Sequence, residues 1–293
     1  MKIKWQYKIL DKDSPSSSSY DGFFIKLSKG VAFLYEEQEF YESIRQLSFT
    51  VDGKFLSTID HHVFENELNE TTIPDLLENT KDITDCFIFH MNGKEYVCPA
   101  SPLFCIAPED EAIIFDNPTI NLKHIYKQNL VNTHHYEEDS FEFDDYVISH
   151  KSSFRYQCRS KSTGVLIWEK KVQGYLHTDM IRYGDGVLFG TAESGGKLYY
   201  VRLSDGTSIF EVETRGTAHF TIDKGFCYCH KVGNKAVILK ISLLDGNVET
   251  LQLDGWSCLD SPVRIIDDVL YTLTFDHLND GKDANPTINA IQL

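Results

Sequence analysis

The sequence predicts an all-β fold built from repeated four-stranded antiparallel sheets. Three observations carry that expectation: a composition rich in aromatic residues, turn glycines that recur about every 40 residues, and an N-terminal strand that supplies what the C-terminal repeat lacks.

Phe, Tyr and Trp make up 13% of the 293 residues, and such side chains suit pleated, half-buried strands better than helices. A chain of this length can form two ordinary domains or one large all-β domain. The repeat favours one domain over residues 1–293.

Three segments align: Tyr156 to Gln173 (YQCRSKSTGVLIWEKKVQ), Tyr199 to Thr214 (YYVRLSDGTSIFEVET) and Leu239 to Leu253 (LKISLLDGNVETLQL). Each reads as strand, turn, strand. Their turn glycines, Gly164, Gly206 and Gly246, lie 42 and 40 residues apart, and a Thr-Gly or Asp-Gly pair supplies the positive φ that a tight hairpin requires. A second landmark precedes each turn by about 20 residues, where a polar turn leads into a short apolar strand. It falls at Asp145, Gly186, Gly225 and Asp268, at intervals of 41, 39 and 43 residues. Two landmarks keeping one period imply four strands per repeat, the arrangement of a β-propeller blade.

The N-terminal half is less regular. Lys29-Gly30-Val31-Ala32-Phe33, Asp85-Cys86-Phe87-Ile88-Phe89 and, more weakly, Glu111-Ala112-Ile113-Ile114-Phe115 repeat the second landmark, and Val51-Asp52-Gly53-Lys54-Phe55 supplies a turn. Residues 66–82 read as a loop insertion, with one helical turn after Pro74. Seven landmarks give seven blades of about 42 residues; the count is six if the thin third repeat is no blade.

Asn289-Ala290-Ile291-Gln292-Leu293 resembles the third strand of a blade, and Ile3-Lys4-Trp5-Gln6-Tyr7-Lys8-Ile9 matches the fourth strand Leu166 to Val172, Trp over Trp. The N-terminal strand, within residues 1–10, is therefore expected to complete the last blade and close the ring, which removes an open sheet edge.

Ser162-Thr163-Gly164-Val165-Leu166-Ile167-Trp168-Glu169, Leu203-Ser204-Asp205-Gly206 and Leu243-Leu244-Asp245-Gly246 resemble the quinoprotein-like (PQQ-like) propeller repeat over about residues 145–293 and the N-terminal strand. The resemblance implies the blade shape and docking of blades through a repeated tryptophan. Enzymes of that family carry the quinone over eight blades. This chain has three Trp, too little length for eight blades, and Phe210 or Thr250 where the repeat Trp would fall, so no cofactor is expected. The Gly-His and Trp-Asp dipeptides of WD40 blades are absent.

Catalytic signatures are sparse. Cys227-Tyr228-Cys229-His230 offers soft ligands, but on a strand the two cysteines share one face and His230 takes the other, so no metal site is expected. His61-His62 and His134-His135 lie in polar, acidic surroundings and read as exposed loops. No nucleophile elbow, zinc-protease motif, phosphate loop or dinucleotide fingerprint occurs. Seven cysteines at irregular spacing read as buried thiols of a reducing compartment. The N-terminus lacks an apolar stretch of signal-peptide length, and the expected location is the cytoplasm.

The net charge is −16, with residues 1–150 holding 12 Lys/Arg against 27 Asp/Glu and residues 151–293 holding 16 against 17. Such a field repels nucleic acid and anionic membranes and steers basic proteins inward. The acidic residues cluster beside turns: Glu36, Glu37 and Glu39; Glu65, Glu67 and Glu70; Asp75 and Glu78; Glu109, Asp110 and Glu111; and Tyr136 with Glu137, Glu138 and Asp139. With Phe40, Tyr41 and Phe64 nearby, these are the expected partner-binding residues, because charge speeds encounter and aromatics anchor it.

The expected function is non-catalytic protein binding by a chain that is monomeric outside its complex. Its most concrete form is an acidic immunity protein or inhibitor that covers a basic partner such as a toxin nuclease, an analogy from charge alone. The alternative is an enzyme or carbohydrate-binding protein using the central channel, which would need convergent polar groups from several blades.

Overall fold

The structure, a computed structural model, describes residues 1–9, 22–27, 30–36, 43–62, 86–91, 94–99, 140–152, 154–176, 178, 180–192, 195–217, 219–258, 261–277 and 283–293. Among these residues there is no helix, and every named pair of strands is antiparallel. The landmark at 111–115 and the insertion at 66–82 lie outside the described residues.

The strands follow one another as β1 (Lys2–Lys8); β2 (Gly22–Leu27), β3 (Gly30–Glu36), β4 (Ser43–Thr50) and β5 (Phe55–His62); and the hairpin β6 (Cys86–Met91) and β7 (Lys94–Pro99). Then come β8 (Ser140–Phe143), β9 (Tyr146–Ser152), β10 (Arg155–Ser160) and β11 (Leu166–Lys171). After them run β12 (Tyr175–Leu176), β13 (Ile181–Tyr183), β14 (Gly186–Ala192), β15 (Lys197–Arg202) and β16 (Ser208–Glu213). The last are β17 (Phe220–Asp223), β18 (Phe226–Lys231), β19 (Val237–Ser242), β20 (Val248–Gln252), β21 (Val263–Ile266), β22 (Val269–His277) and β23 (Asp283–Gln292).

The chain divides into two compact units, Met1–Leu130 with Arg264–Leu293, and Val131–Val263. In the second, three meanders follow one another: β8 to β11, β12 to β16, and β17 to β20. The first position of the middle sheet is shared by β12 and β13, which pair with opposite ends of β14. Between them the Thr178 hydroxyl oxygen accepts the Gly190 amide at 2.6 Å, which satisfies a ladder donor where the strand is broken. In the first unit β2 to β5 form one meander, and β21, β22, β23 and β1 form another in which β1 is the outer strand.

The two sequence landmarks meet in space. In each repeat the amide after the third strand donates to the carbonyl of the earlier polar turn: Lys161 to Asp145 (2.8 Å), Leu203 to Asp185 (3.0 Å), Leu243 to Gly225 (2.9 Å) and Leu293 to Asp268 (3.3 Å). At the opposite end the amide that follows the outer strand donates to the turn between the second and third strands, Val172 to Phe154 (2.8 Å), Thr214 to Gly196 (3.2 Å) and Leu253 to Ala236 (2.9 Å), and in the last sheet Ile9 donates to Pro286 within β23 (2.8 Å). Ile9 keeps the place of Val172 although it comes from the other end of the chain. The expectation that the N-terminal strand completes the last sheet therefore holds residue for residue, with Trp5 opposite Ala290 as Trp168 is opposite Cys158.

Consecutive sheets dock through one repeated contact. The turn glycine of one sheet lies on the aromatic ring of the preceding outer strand: Gly206 on Trp168, and Gly246 on Phe210, which fills the position where the repeat Trp would fall. In the first unit Gly53 lies in the same way on Trp5. Gly206 has φ of +73°, and a Cβ there would stand 2.7 Å from Trp168 Cγ, so both backbone conformation and space demand glycine. The indole N–H of Trp168 donates to the Leu203 carbonyl at 2.7 Å, and that of Trp5 to the Val51 carbonyl at 3.2 Å.

Around these docks the core forms. Ile148, Tyr156, Cys158, Trp168, Val187, Phe189, Tyr199 and Val201 fill the space on one side of the middle sheet, while Leu188, Leu198, Tyr200, Phe210, Cys227 and Cys229 fill the other. Strand β14 is consequently buried at every residue, as expected of a strand covered on both faces. In the first unit the counterpart is an aromatic cluster, with Tyr7 stacked on Phe55 at 5.6 Å and Trp5 packed between Phe49 and Tyr271 at 5.6 and 5.8 Å.

Truncating Trp168 to Ala should lower the unfolding free energy by about 3–5 kcal/mol, the usual cost of removing a buried aromatic, as read by urea denaturation. Trp168→Phe should lose much less, because Phe210 performs the same docking one sheet later. Equal losses in the two variants would show that the contact depends on the indole hydrogen bond rather than on ring packing.

Candidate functional site

Of the fifteen residues expected to bind a partner, Glu36 is the one that falls within the described residues, as the last residue of β3 opposite Ile44 of β4. Glu37 and Glu39, Glu65, Glu67, Glu70, Asp75 and Glu78, Glu109, Asp110 and Glu111, and Tyr136, Glu137, Glu138 and Asp139 lie outside them, as do His134 and His135. His61 and His62 are the final residues of β5, opposite Ile44 and Ser43, and so belong to a strand rather than to the loop expected.

What the described residues do show is the acidic rim that the repeat itself creates. The landmark turns and the Asp-Gly turns fall at the same end of each sheet, so Asp144, Asp145, Asp185, Asp205, Asp223 and Asp245 share one end of the second unit. Sequence reasoning used these residues to set the period and did not see them as a rim; the signal available was the same 40-residue spacing. Four of the six rim aspartates are paired with cations. Arg182 pairs with Asp144, Arg202 with Asp185 and Asp205 at 3.5 and 3.2 Å, Lys224 with Asp223 at 3.9 Å, and Lys161 with Glu142 at 2.6 Å.

Two of its carboxylates are fixed by their own turns. Asp205 accepts the Thr207 amide at 2.8 Å and Asp245 the Asn247 amide at 3.2 Å. The Thr207 amide, foremost, holds the Asp205 carboxyl below its ordinary range, and the Ser242 hydroxyl, followed by the Asn247 amide, does so for Asp245. A carboxylate that accepts such bonds is stabilised in its charged form and pins the turn that carries the docking glycine. These aspartates therefore maintain the scaffold.

The Cys227-Tyr228-Cys229-His230 run is divided by strand alternation. Cys227 and Cys229 are wholly buried in the core shared with the middle sheet, and burial pushes the Cys227 thiol well up and the Cys229 thiol to about 12. Thiols held protonated in this way are poor nucleophiles. His230, on the opposite face, is 1% exposed. Burial, with a lesser contribution from the nearby charge of His219, drops its pKa to about 3; burial drops that of His219 to about 4.

No protein-family model matches the chain, and no curated protein does. Solved structures to which it is similar include BamB from Moraxella catarrhalis, at 9% identity over 92% of this chain and 69% of that one, with a TM-score of 0.37. Two computationally designed proteins are similar as well. Ika8 is 10% identical over 92% of this chain and 71% of its own, with a TM-score of 0.37; Ika4 is 14% identical over 53% and 92%, with a TM-score of 0.34. At such scores the likeness adds nothing to the chain's own sheets and docking contacts.

The two histidines make the fold acid-sensitive in a defined window. Their folded pKa values lie below the ordinary 6.5, so the unfolded chain binds more protons once the pH drops beneath 6.5. The stability they confer is complete above that value and is lost as the pH falls towards about 4 and about 3. Urea midpoints measured at pH 7 and pH 5 should differ less in His230→Gln than in the parent; an equal difference in both would show that His230 is not a source of the acid sensitivity.

Proposed function

We propose that these sheets are blades of a β-propeller of seven blades, or six, with β1 closing the ring, and that the protein binds another protein without catalysing a reaction. In its most concrete form it is an acidic immunity protein or inhibitor of a basic partner, such as a toxin nuclease, acting in the cytoplasm. The observation that carries this reading is the separation of charge, −15 over residues 1–150 against −1 over residues 151–293. The described rim of the second unit is consistent with it, because four of its six aspartates, Asp144, Asp185, Asp205 and Asp223, are paired with Arg182, Arg202 and Lys224. Loops on a rigid scaffold are where binding residues concentrate, and the excess of carboxylates in the sequence lies in the N-terminal half.

The test is co-purification with the basic protein encoded by the neighbouring gene, repeated in high salt. Reversing the charges of Glu109, Asp110 and Glu111 together with Glu137, Glu138 and Asp139 should slow association about tenfold or more, the scale of electrostatic steering, with a smaller change in dissociation. An association rate that ignores both salt and charge reversal would remove the basis of this reading.

A further inference from the structure

The sheet β8–β11 has two unlike faces. Phe141, Ile148, Tyr156, Cys158 and Trp168 turn towards the core. The opposite face carries Lys151, Arg155, Gln157, Arg159, Ile167, Glu169 and Lys171, by the strand alternation of the ladder pairs. Lys151 and Arg155 share a single carboxylate, Glu169, the second at 3.0 Å. Arg159 donates to two neutral oxygens, the Gly164 carbonyl at 2.9 Å and Gln157 Oε1 at 3.3 Å. With Lys171 exposed, this face sets four cations against two carboxylates, Glu169 and Glu142, and the second of these is already paired with Lys161, in a chain whose net charge is −16.

The same face ends at an open edge. Strand β11 is outermost in its sheet, and among the described residues no strand lies beyond it. The Val172 amide bonds to Phe154 of the neighbouring turn, so by the alternation of an antiparallel ladder the amides and carbonyls of Glu169 and Lys171 point away from β10. Just upstream, Val165, Leu166 and Ile167 are 62%, 45% and 37% exposed. The corresponding outer strand β16 instead presents Glu211 and Glu213, and β20 presents Glu249. An exposed edge that is apolar at one end and cationic at the other is a template for strand addition.

We infer that β11 is a docking edge for an extended acidic peptide, which adds as a further strand. Running antiparallel to β11, the peptide bonds to the outward backbone of Glu169 and Lys171, sets carboxylates against Lys171 and Arg155, and lays apolar side chains over Val165 to Ile167. The choice of an acidic ligand follows from charge complementarity. It does not rest on the basic partner proposed above, since it uses other residues and charges of opposite sign.

The probe is a short synthetic peptide in which Thr alternates first with Glu and then with Val, titrated by fluorescence anisotropy against the full chain. Binding is expected to weaken at least tenfold in Arg155→Glu and in Lys171→Pro. Lys171→Pro deletes an outward amide at an edge position where proline is tolerated, and an unchanged thermal midpoint confirms its fold; should it not fold, Lys171→Glu with the same readout takes its place. The same peptide with Lys for Glu should not bind. Failure of the acidic peptide to bind, or binding indifferent to Lys171→Pro, overturns strand addition. So does tighter binding of oligo(dT) that responds to Arg155→Glu but not to Lys171→Pro, which would make the face a general polyanion surface.

Discussion

The contact between an aromatic ring and the turn glycine of the next sheet is the constraint on which this structure depends. In three of the described sheets the third-to-fourth turn lies within van der Waals reach of a ring projecting from the outer strand of another sheet. Trp168 on Gly206, Phe210 on Gly246 and Trp5 on Gly53 are three instances of one geometry. The positive φ of the glycine, the Asx bond that holds the turn, and the tether from the end of the third strand to the earlier polar turn all serve to present that small surface. The ring sets the spacing, and the carbonyl that accepts the indole N–H sets its orientation.

How much of this was legible in the sequence depended on whether the feature repeats. The turn glycines and polar landmarks recur, and the strands they bracket lie where the 40-residue period puts them. The match of Trp5 to Trp168 was readable because a large ring at a fixed distance from a glycine is a rare coincidence that packing demands. The reading of Phe210 as a departure from the tryptophan repeat was correct as sequence, and its physical meaning differs: the smaller ring retains the stacking on glycine. The shared position of β12 and β13 was not legible, because the break at Thr178 relies on a hydroxyl accepting a backbone amide, and threonine is equally at home in an unbroken strand. The histidine pair His61-His62 looked like a loop because its neighbours are polar, whereas the ladder with β4 places it in a strand.

The candidate site was legible only as charge. Composition locates an excess of carboxylates in the N-terminal half but says nothing of which ones are compensated, since compensation depends on cations brought near from other strands. Asp144 and Asp185 find theirs in Arg182 and Arg202, tens of residues away in the chain or in the next strand. The polar face of the β8–β11 sheet escaped notice for a similar reason. Alternation marks Trp168 as buried, but it takes the pairing of three strands to gather Lys151, Arg155 and Lys171 on one surface. Scaffold and recognition thus draw on different information: the first on spacing along the chain, the second on which charges remain unmatched after folding.

The pairing of β1 with β23 has a kinetic consequence. Gln6 and Asn289, joined by a side-chain hydrogen bond, stand 283 positions apart in the sequence, so this sheet gains its outer strand only after β23 has been made. During synthesis β1 emerges long before its partner strand β23, while the meanders β8–β11 and β17–β20 can form as soon as their own hairpins leave the ribosome. The entropy of closing so long a loop grows only slowly with its length, but the search is slow because its contacts are non-local. The pairing of β1 with β23 is therefore expected to be a late event, and the packing of Trp5 against Tyr271 reports on it.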